Sequence, residues 1–163
     1  MSALAAPNVA FLLRHPAHFV ALGFGLGLAP VAPGTFGTLL AIPLAAVLRL
    51  YLSDAAFAAA IVALFALGVW AAEVAGRNLG AADHGAIVWD EVVAFLVVLF
   101  FVGAHPLSIM VAFGLFRLFD ILKPPPIRQL ERAFKNGFGV MADDLLAAGY
   151  TLLVFSFLHR IVT

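Results

Sequence analysis

Residues 92–104 read VVAFLVVLFFVGA, a run without any charge, and they directly follow the acidic pair Asp90–Glu91. A carboxylate at membrane depth costs roughly 2.5 to 3.5 kcal/mol by insertion scales. Two carboxylates at the head of an apolar run therefore need a compensating partner. The identity of that partner is the main question that this sequence raises.

The composition of the whole chain is typical of a membrane protein. Of its 163 residues, 64% are hydrophobic and 11% are charged, with a mean hydropathy of +1.11. Soluble domains carry about 25% charged residues. The sequence therefore predicts an all-α, polytopic membrane helical bundle of about four to six helices, in a single membrane-embedded domain over residues 1–163. The net charge of zero gives no support to a nucleic-acid partner, and the absence of cysteine excludes a thiolate metal site.

Uncharged runs of membrane-spanning length mark the helices. They predict helices at residues 36–52, 55–76, 88–104, 106–122 and 140–160. Residues 8–28 are also apolar, but Arg14, His15 and Pro16 interrupt them. We therefore expect an interfacial N-terminal helix or a re-entrant segment there, and not a further span.

The region after the acidic pair has two interpretations. Residues 92–116 contain 25 uncharged residues, enough for one tilted span. Gly103 and Pro106 in the sequence GAHP offer a turn in the middle, since both residue types interrupt helices and proline is well tolerated at a first helical position. This turn favours a hairpin of two short helices.

The predicted helices bring most of the charge to one side of the membrane. Seven of the nine lysine and arginine residues lie there: Arg14, Arg77, Arg117, Lys123, Arg128, Arg132 and Lys135. The positive-inside rule places that side in the cytoplasm. Eight of the nine acidic residues lie on the same side, which the rule does not require. Their position predicts a polar site at the cytoplasmic membrane surface.

The first polar stretch is LGLAPVAPGTFGT, residues 26–38. Glycine lets other backbone or ligand atoms approach closely, and threonine can cap a helix. Free N–H groups at such a helix start suit a phosphate. The alternative is an ordinary glycine- and proline-rich loop with a threonine cap. The candidate phosphate-binding residues are Pro33, Gly34, Thr35, Gly37 and Thr38.

The second stretch is DHGAIVWDE, residues 83–91, with three carboxylates. Oxygen ligands without cysteine suit Mg²⁺ or Mn²⁺ rather than zinc. Because Asp90 and Glu91 point about 100° apart on a helix, we expect them to flank one groove and not to chelate side by side. The alternative is that they complement a helix dipole, with Trp89 as an interface anchor.

The third stretch, residues 116–149, carries Arg117, Asp120 and Lys123 near one helix end and the pair Asp143–Asp144 near the start of another helix. Arg117 and Asp120 could simply pair at i, i+3. A salt bridge or a favourable interaction with a helix dipole explains each pair by itself. Neither explains well why all these acids lie near helix ends on one face. The cluster therefore predicts a magnesium site with a phosphate clamp, in which Arg117 and Lys123 neutralise phosphate oxygens.

Four motifs occur in the order GxGLxPxAPGTxG, DHGxIVWDE, FRxxDxxKPxPI and NGFGVMxDDxxAG. In this order they resemble the phosphatidylglycerophosphatase A family. The resemblance implies a magnesium-dependent enzyme of the bacterial inner membrane, with its active site on the cytoplasmic face. Such an enzyme hydrolyses phosphatidylglycerophosphate to phosphatidylglycerol and inorganic phosphate in phospholipid biosynthesis. Asn136 and Pro125 depart from the pattern, and neither changes a charged group.

With this resemblance, we assign hypothetical roles to the polar residues. The predicted metal ligands are Asp90, Glu91, Asp143 and Asp144. The predicted catalytic residues are Asp83 or Asp120 as base or water-positioning group, Arg117 and Lys123 for transition-state charge, and His84. His84 could equally be a loop histidine without a role. We expect direct attack by water on phosphorus, with a covalent phospho-aspartate as the alternative.

Two other classes of protein compete with the phosphatase. Lipid phosphotransferases with a CDP-activated donor resemble one another in the motif DGxxAR…GxxxD…D, and this chain lacks that motif. A non-enzymatic cation-binding membrane protein, such as a small transporter, predicts acids distributed through the bilayer depth. Here the middle of every predicted span is nearly uncharged. A membrane subunit with a purely structural role leaves the acids unexplained.

Overall fold

The computed structural model describes residues 7–162, and over that part of the chain every regular element is helical. In chain order the elements are α1 (Val9–Arg14), α2 (Pro16–Ala21), a 3₁₀ helix (Gly23–Leu28), α3 (Pro33–Tyr51), α4 (Asp54–Leu79), α5 (Trp89–Val102), α6 (Pro106–Leu122), α7 (Ile127–Ala133) and α8 (Gly137–Val162). Three of them are long and apolar enough to cross a membrane: Pro33–Tyr51, Asp54–Leu79 and Gly137–Ile161. The predicted helical membrane bundle is therefore confirmed.

Helix α5 lies at the centre of the bundle, packed against α3, α4, α6 and α8. Nine of its fourteen residues are buried. At 1.5 Å per residue the helix is about 21 Å long, shorter than the roughly 30 Å hydrocarbon core of a bilayer. Because neighbouring helices cover it, its apolar side chains pack against protein more than against lipid.

The end of α5 away from the acidic pair is held by Arg49 in the last turn of α3. Its Nη2 donates hydrogen bonds to the carbonyl oxygens of Leu99 at 2.7 Å and Phe100 at 3.3 Å. Both carbonyls lie in the last turn of α5, where the Leu99 oxygen also accepts from the Gly103 N–H at 3.1 Å. Arg49 therefore fixes one end of α5, and its guanidinium carbon also lies 5.7 Å from the centroid of the Phe57 ring.

The region after the acidic pair forms a hairpin. Helix α5 ends at Val102, Gly103 adopts a left-handed φ of 86°, and α6 begins at Pro106. The two-helix prediction is confirmed and the single tilted span is wrong. Glycine supplies the positive φ at little cost, and proline starts α6 where its missing N–H is not needed.

Some helix boundaries differ from the predicted ones. Helix α3 begins at Pro33 and not at residue 36, since proline suits the first helical position. Helix α8 begins at Gly137, three residues before the predicted start. The segment between α6 and α8, expected to be a loop, contains α7.

The N-terminal segment is not a single interfacial helix. His15 is extended and Pro16 starts a new helix, so α1 and α2 are separate. Both belong to a cluster of buried apolar residues that includes small residues of α4 such as Ala71 and Ala75. His18 strengthens this contact, because its Nδ1 lies 2.8 Å from the Phe11 carbonyl oxygen and its Nε2 lies 2.8 Å from Asn78 Nδ2.

Candidate active site

Four helix ends meet at one end of the bundle. They are the first turns of α3 and α5, the first two turns of α8 and the last turns of α6, and each carries part of a polar stretch singled out in the sequence. Short contacts and ion pairs join residues from all four helices. Most of the charged residues of the chain lie at this end.

Three carboxylates come together at the centre of this end. Oxygen atoms of Asp90, Glu91 and Asp144 all lie within 4.8 Å of one another. Asp90 and Asp144 are buried, and the Glu91 side chain is only 12% exposed. We call these three residues the carboxylate triad.

Asp90 and Glu91 were expected to flank a groove and not to chelate side by side, but oxygen atoms of the two carboxylates lie close enough to share a ligand. Their Cα–Cβ bonds diverge by about 100° on the helix, but oxygen atoms of both carboxylates reach the same place. The reason is the length of the glutamate side chain. Its three rotatable bonds bring the Glu91 carboxylate back towards that of Asp90.

Several oxygens of this cluster have no hydrogen-bond partner in the described part of the chain. They are Asp90 Oδ1, Glu91 Oε2, Asp143 Oδ1 and Asp144 Oδ2. A buried polar atom without a partner typically costs about 1 to 3 kcal/mol, and more when it is charged. A hard divalent cation bound by carboxylate oxygens would satisfy such atoms and offset their mutual repulsion. The donor set of the triad therefore fits Mg²⁺.

Arg117 of α6 lies directly beside the triad. Its Nη1 is 2.5 Å from Asp120 Oδ2 and 3.5 Å from Glu91 Oε1. The same atom donates to Thr38 Oγ1 at 3.5 Å. The i, i+3 pair of Arg117 and Asp120 is therefore present. Arg117 also links Glu91 of the triad to Thr38 of α3. Arg117 Nε is buried without a partner, so the guanidinium keeps a free donor for an anion.

The start of α3 packs tightly against this group. A Cβ atom added to Gly34 would overlap the Glu91 carboxylate and lie 3.2 Å from Arg117 Nη1. A Cβ on Gly37 would lie 2.7 Å from the Val88 carbonyl oxygen. Thr38 is fully buried and donates to the Gly34 carbonyl oxygen at 3.0 Å. The glycines thus allow the backbone of the first turn of α3 to approach Glu91 and Val88. Thr35, another predicted phosphate-binding residue, lines an apolar depression at the start of α3.

Lys123, which ends α6, is held among three further carboxylates. Its Nζ is 2.7 Å from Asp143 Oδ2, 3.5 Å from Glu131 Oε2 and 3.6 Å from Asp83 Oδ2. Burial alone would lower the pKa of Lys123, but the hydrogen bond and charge of Asp143, together with the charges of Asp83 and Glu131, outweigh burial. The pKa of Lys123 therefore lies above its usual value, and the ammonium remains charged at neutral pH.

Asp143, the fourth predicted metal ligand, is not part of the carboxylate triad. One of its oxygens accepts from Lys123, and the other is buried without a partner. It lies next in sequence to Asp144 and so joins the triad to Lys123. Asp83 and Glu131 form the exposed border on this side, with side chains 46% and 38% exposed.

His84 makes a local contact. It lies in the loop before α5, where its Nδ1 accepts a hydrogen bond from the Ala86 N–H at 3.2 Å. Its side chain is half-buried. Asp83 beside it reaches Lys123, so the DHG stretch contributes to the site through Asp83.

Two acidic residues of this region were missed by the sequence reasoning, Glu131 and Glu73. Glu73 of α4 accepts a hydrogen bond from the Gly137 N–H at 2.6 Å and pairs with Arg77. It thereby caps the first turn of α8, the helix that carries Asp144. In sequence Glu73 and Arg77 form an ordinary i, i+4 ion pair, and only the packing of α4 on α8 brings Glu73 to Gly137.

Comparisons with known proteins identify the family of this chain. The family model described as Phosphatidylglycerophosphatase A matches residues 19–159. A Haemophilus influenzae protein named phosphatidylglycerophosphatase A is 43% identical over 143 residues, covering 87% of this chain and 88% of the relative. An Escherichia coli protein of the same name is 35% identical over 136 residues, covering 83% and 78%.

A third relative carries a different name. This Bacteroides thetaiotaomicron protein is provisionally named a phosphatidylinositol-3-phosphatase, and it is 39% identical over 144 residues, covering 84% of this chain and 89% of the relative. No solved structure matches the chain. All three names describe phosphatases that act on a phosphorylated lipid.

Proposed function

The chain belongs to the phosphatidylglycerophosphatase A family and is a phosphatase, and we propose that it hydrolyses phosphatidylglycerophosphate to phosphatidylglycerol and inorganic phosphate. The observation that carries this proposal is the carboxylate triad beside Arg117 and the first turn of α3. A phosphate monoester needs cationic and N–H groups around its oxygens and a group that positions water. The described residues offer both kinds of group within one buried cluster.

Magnesium is the proposed cofactor, and Asp90, Glu91 and Asp144 are the residues that would hold it. Their buried oxygens without partners support this assignment, since carboxylate oxygens are ligands that Mg²⁺ prefers. When bound, the ion supplies Lewis-acid polarisation of the phosphoryl group and a lowered pKa of bound water. Asp143 stays a candidate fourth ligand through its free Oδ1.

The remaining residues would hold the phosphate and stabilise charge in the transition state. Arg117 has a free Nε donor directed into a buried site, and Lys123 is kept charged by its carboxylate neighbours. Backbone N–H groups at the start of α3 would contribute further donors near Gly34. Donors fixed before the reaction are effective because they need no reorganisation as charge develops.

The proposed reaction is direct attack of water on phosphorus. The water oxygen forms the new P–O bond, the ester P–O bond breaks, and the leaving glycerol oxygen takes a proton. Asp120 is the best-placed group to orient the water, because it is fixed by Arg117 and interacts electrostatically with Glu91 and Asp144. Asp83 is more exposed and 3.6 Å from Lys123, so it is better suited to guiding the head group.

The proposed location is the bacterial inner membrane, with the site at the cytoplasmic face. The charge asymmetry of the sequence supports this orientation. In this position the acyl chains of the substrate can stay in the bilayer while its terminal phosphate enters the site. The product would serve phospholipid biosynthesis.

Phosphate release by the purified protein tests the proposal. We expect release from phosphatidylglycerophosphate in Mg²⁺, and loss of release in EDTA. Asp90→Asn, Glu91→Gln and Asp144→Asn are each expected to lower kcat strongly. Asp54→Asn is the control, since Asp54 lies in the first turn of α4 at the opposite end of the bundle. Full activity in EDTA, or in all three triad variants, would contradict the metal-dependent mechanism.

Two further measurements define the substrate and the nucleophile. Phosphatidylinositol 3-phosphate should be assayed in parallel, because one relative carries that name; faster turnover of this lipid would replace the proposed substrate. The nucleophile is identified with a substrate whose terminal thiophosphate is isotopically chiral. One direct displacement by water should invert the configuration at phosphorus, whereas retention would instead support two displacements through a phospho-aspartate.

A further inference from the structure

An apolar depression lies at the start of α3, on the side of the first turn that does not face the triad. Its volume is about 360 Å³. It is lined by Ala29, Pro30, Val31, Ala32, Thr35 and Phe36. Val31 is 75% exposed and Phe36 is 45% exposed, so these side chains are available to a ligand.

The depression and the candidate active site both adjoin the first turn of α3. Ala32 and Thr35 in its lining flank Pro33 and Gly34, and Gly34 packs against Glu91 and Arg117. One short segment therefore contacts both the apolar depression and the charged groups. A ligand that occupies both places must have a hydrophobic part next to an anionic part.

The other side of the site is different in character. A cavity of about 190 Å³ lies on that side, and four charged residues, Asp83, Glu131, Lys135 and Asp143, line it together with apolar ones. Burying an acyl chain against the charged groups would remove them from water at a considerable cost. The depression at residues 29–36 has no charged residue in its lining, and this difference can orient an amphipathic substrate.

We propose that the depression at residues 29–36 is the subsite for an acyl chain of the lipid substrate. This inference rests on the proposed function and adds where the hydrophobic part of the substrate binds. The terminal phosphate would lie at Arg117 and the triad, and the acyl chain nearest the head group would lie on Val31 and Phe36. Contacts of the acyl chain would then stabilise the ground state and the transition state equally, which lowers KM without changing kcat.

Photolabelling tests the location of this subsite directly. The probe is phosphatidylglycerophosphate with a diazirine in its acyl chain near the glycerol, in mixed micelles with the wild-type protein. We expect crosslinks to peptides that contain residues 29–36, and we expect unlabelled substrate to compete with them more strongly than phosphatidylcholine does. Crosslinks elsewhere would overturn the proposal. Equal competition by phosphatidylcholine would also overturn it, because it would indicate nonspecific contact with lipid.

Kinetics of matched variants provide the second test. Val31→Gln places a polar group in the depression, and Leu13→Gln makes a similar change on α1 at a residue that is 71% exposed. We expect Val31→Gln to raise the KM for the long-chain lipid roughly tenfold, with kcat unchanged. Leu13→Gln should leave both constants unchanged.

Hydrolysis of the deacylated head group, glycerophosphoglycerophosphate, distinguishes an effect on acyl-chain binding from an effect on the chemical step. Its hydrolysis by Val31→Gln should equal that by the wild type, because it has no acyl chain to bind. An unchanged KM for the long-chain lipid in Val31→Gln, or an equal loss on both substrates, would reject the subsite. Failure of the wild-type protein to release phosphate from any substrate would instead reject the proposed function.

Discussion

Gly34 and Glu91 are in such close contact that a methyl group on the glycine would overlap the carboxylate, with the added Cβ only 2.9 Å from Glu91 Cδ. The first turn of α3 and the first turn of α5 are therefore in direct backbone-to-carboxylate contact. Because this contact lies inside the site, a very small change of sequence can test the arrangement.

Gly34→Ala should lower activity while the protein still folds. The added methyl group must displace the Glu91 carboxylate, and a displacement of this kind can reduce kcat by about 100-fold. Gly114→Ala is the matched control, since a Cβ there meets nothing within 4 Å and Gly114 lies on the exposed face of α6. Phosphate release and detergent-phase melting should be measured for both. Equal kcat values in the two variants would contradict the packing of Gly34 on Glu91.

Thr38→Val should reduce kcat by about tenfold, which corresponds to the loss of one hydrogen bond to a charged group. The hydroxyl of Thr38 links the Gly34 carbonyl to Arg117. Thr151→Val is a close control, because Thr151 is equally buried in α8 and donates to the Ala147 carbonyl at 2.8 Å. Thr38→Ser should restore activity. A similar loss in the Thr151 variant would show that the effect comes from the helix and not from Arg117.

Glu73→Gln should lower the melting temperature and the activity together. It removes the charge that accepts from Gly137 N–H and fixes the start of α8, and loss of a side-chain cap costs about 1 kcal/mol. Arg77→Gln removes only the ion pair, and the exposed pair contributes little. We therefore expect Arg77→Gln to match the wild type. If both variants lose the same stability, the ion pair is more important than the cap.

Lys123→Gln should destabilise the protein by about 2 kcal/mol, because it leaves the buried Asp143 without its cationic partner. The folded-state pKa of Lys123 lies above the unfolded value. The charged Lys123 therefore contributes its full share to the free energy of unfolding below the usual lysine pKa of about 10.4. This share is lost only as the pH rises through the higher folded-state pKa. Denaturant titrations between about pH 8 and pH 10 should give a constant difference in the free energy of unfolding between variant and wild type. A difference that disappears within this range would contradict the raised pKa.

A divalent cation should stabilise the folded protein even when no substrate is present. At 100 times its Kd, a cation that binds only the folded state adds about 2.7 kcal/mol, so the melting temperature should rise with Mg²⁺. Asp144→Asn should melt higher than the wild type in EDTA, since it removes repulsion within the triad, and should lose most of the rise with Mg²⁺. Electron paramagnetic resonance of Mn²⁺ measures the binding itself. An equal rise in Asp144→Asn would place the cation elsewhere.

The sequence predicted the fold class and the assembly of polar residues at one end of the bundle. Helix spans follow from the lengths of uncharged runs, and the turn at Gly103 and Pro106 follows from residue types that interrupt helices. The carboxylate triad was predicted in part, because Asp90, Glu91 and Asp144 all lie at helix ends on the same side of the membrane. These features depend on local sequence and on the direction in which each helix crosses.

Other features depend on contacts that the sequence does not encode locally. The side-by-side approach of Asp90 and Glu91 depends on the conformation of a long side chain, which helix periodicity does not give. The partner of Asp143 depends on how the end of α6 meets α8. Glu73 was missed for the same reason, because its partner Gly137 is 64 residues away in sequence.

The contact of Arg49 with the end of α5 has a consequence for the evolution of this chain. Helix α5 is fixed at both ends, by Arg49 at Leu99 and by the carboxylates in its first turn. One inserted or deleted residue between them would rotate one end against the other by about 100° and shift it by about 1.5 Å. Related proteins should therefore exchange apolar residues within this helix freely while its number of residues stays constant.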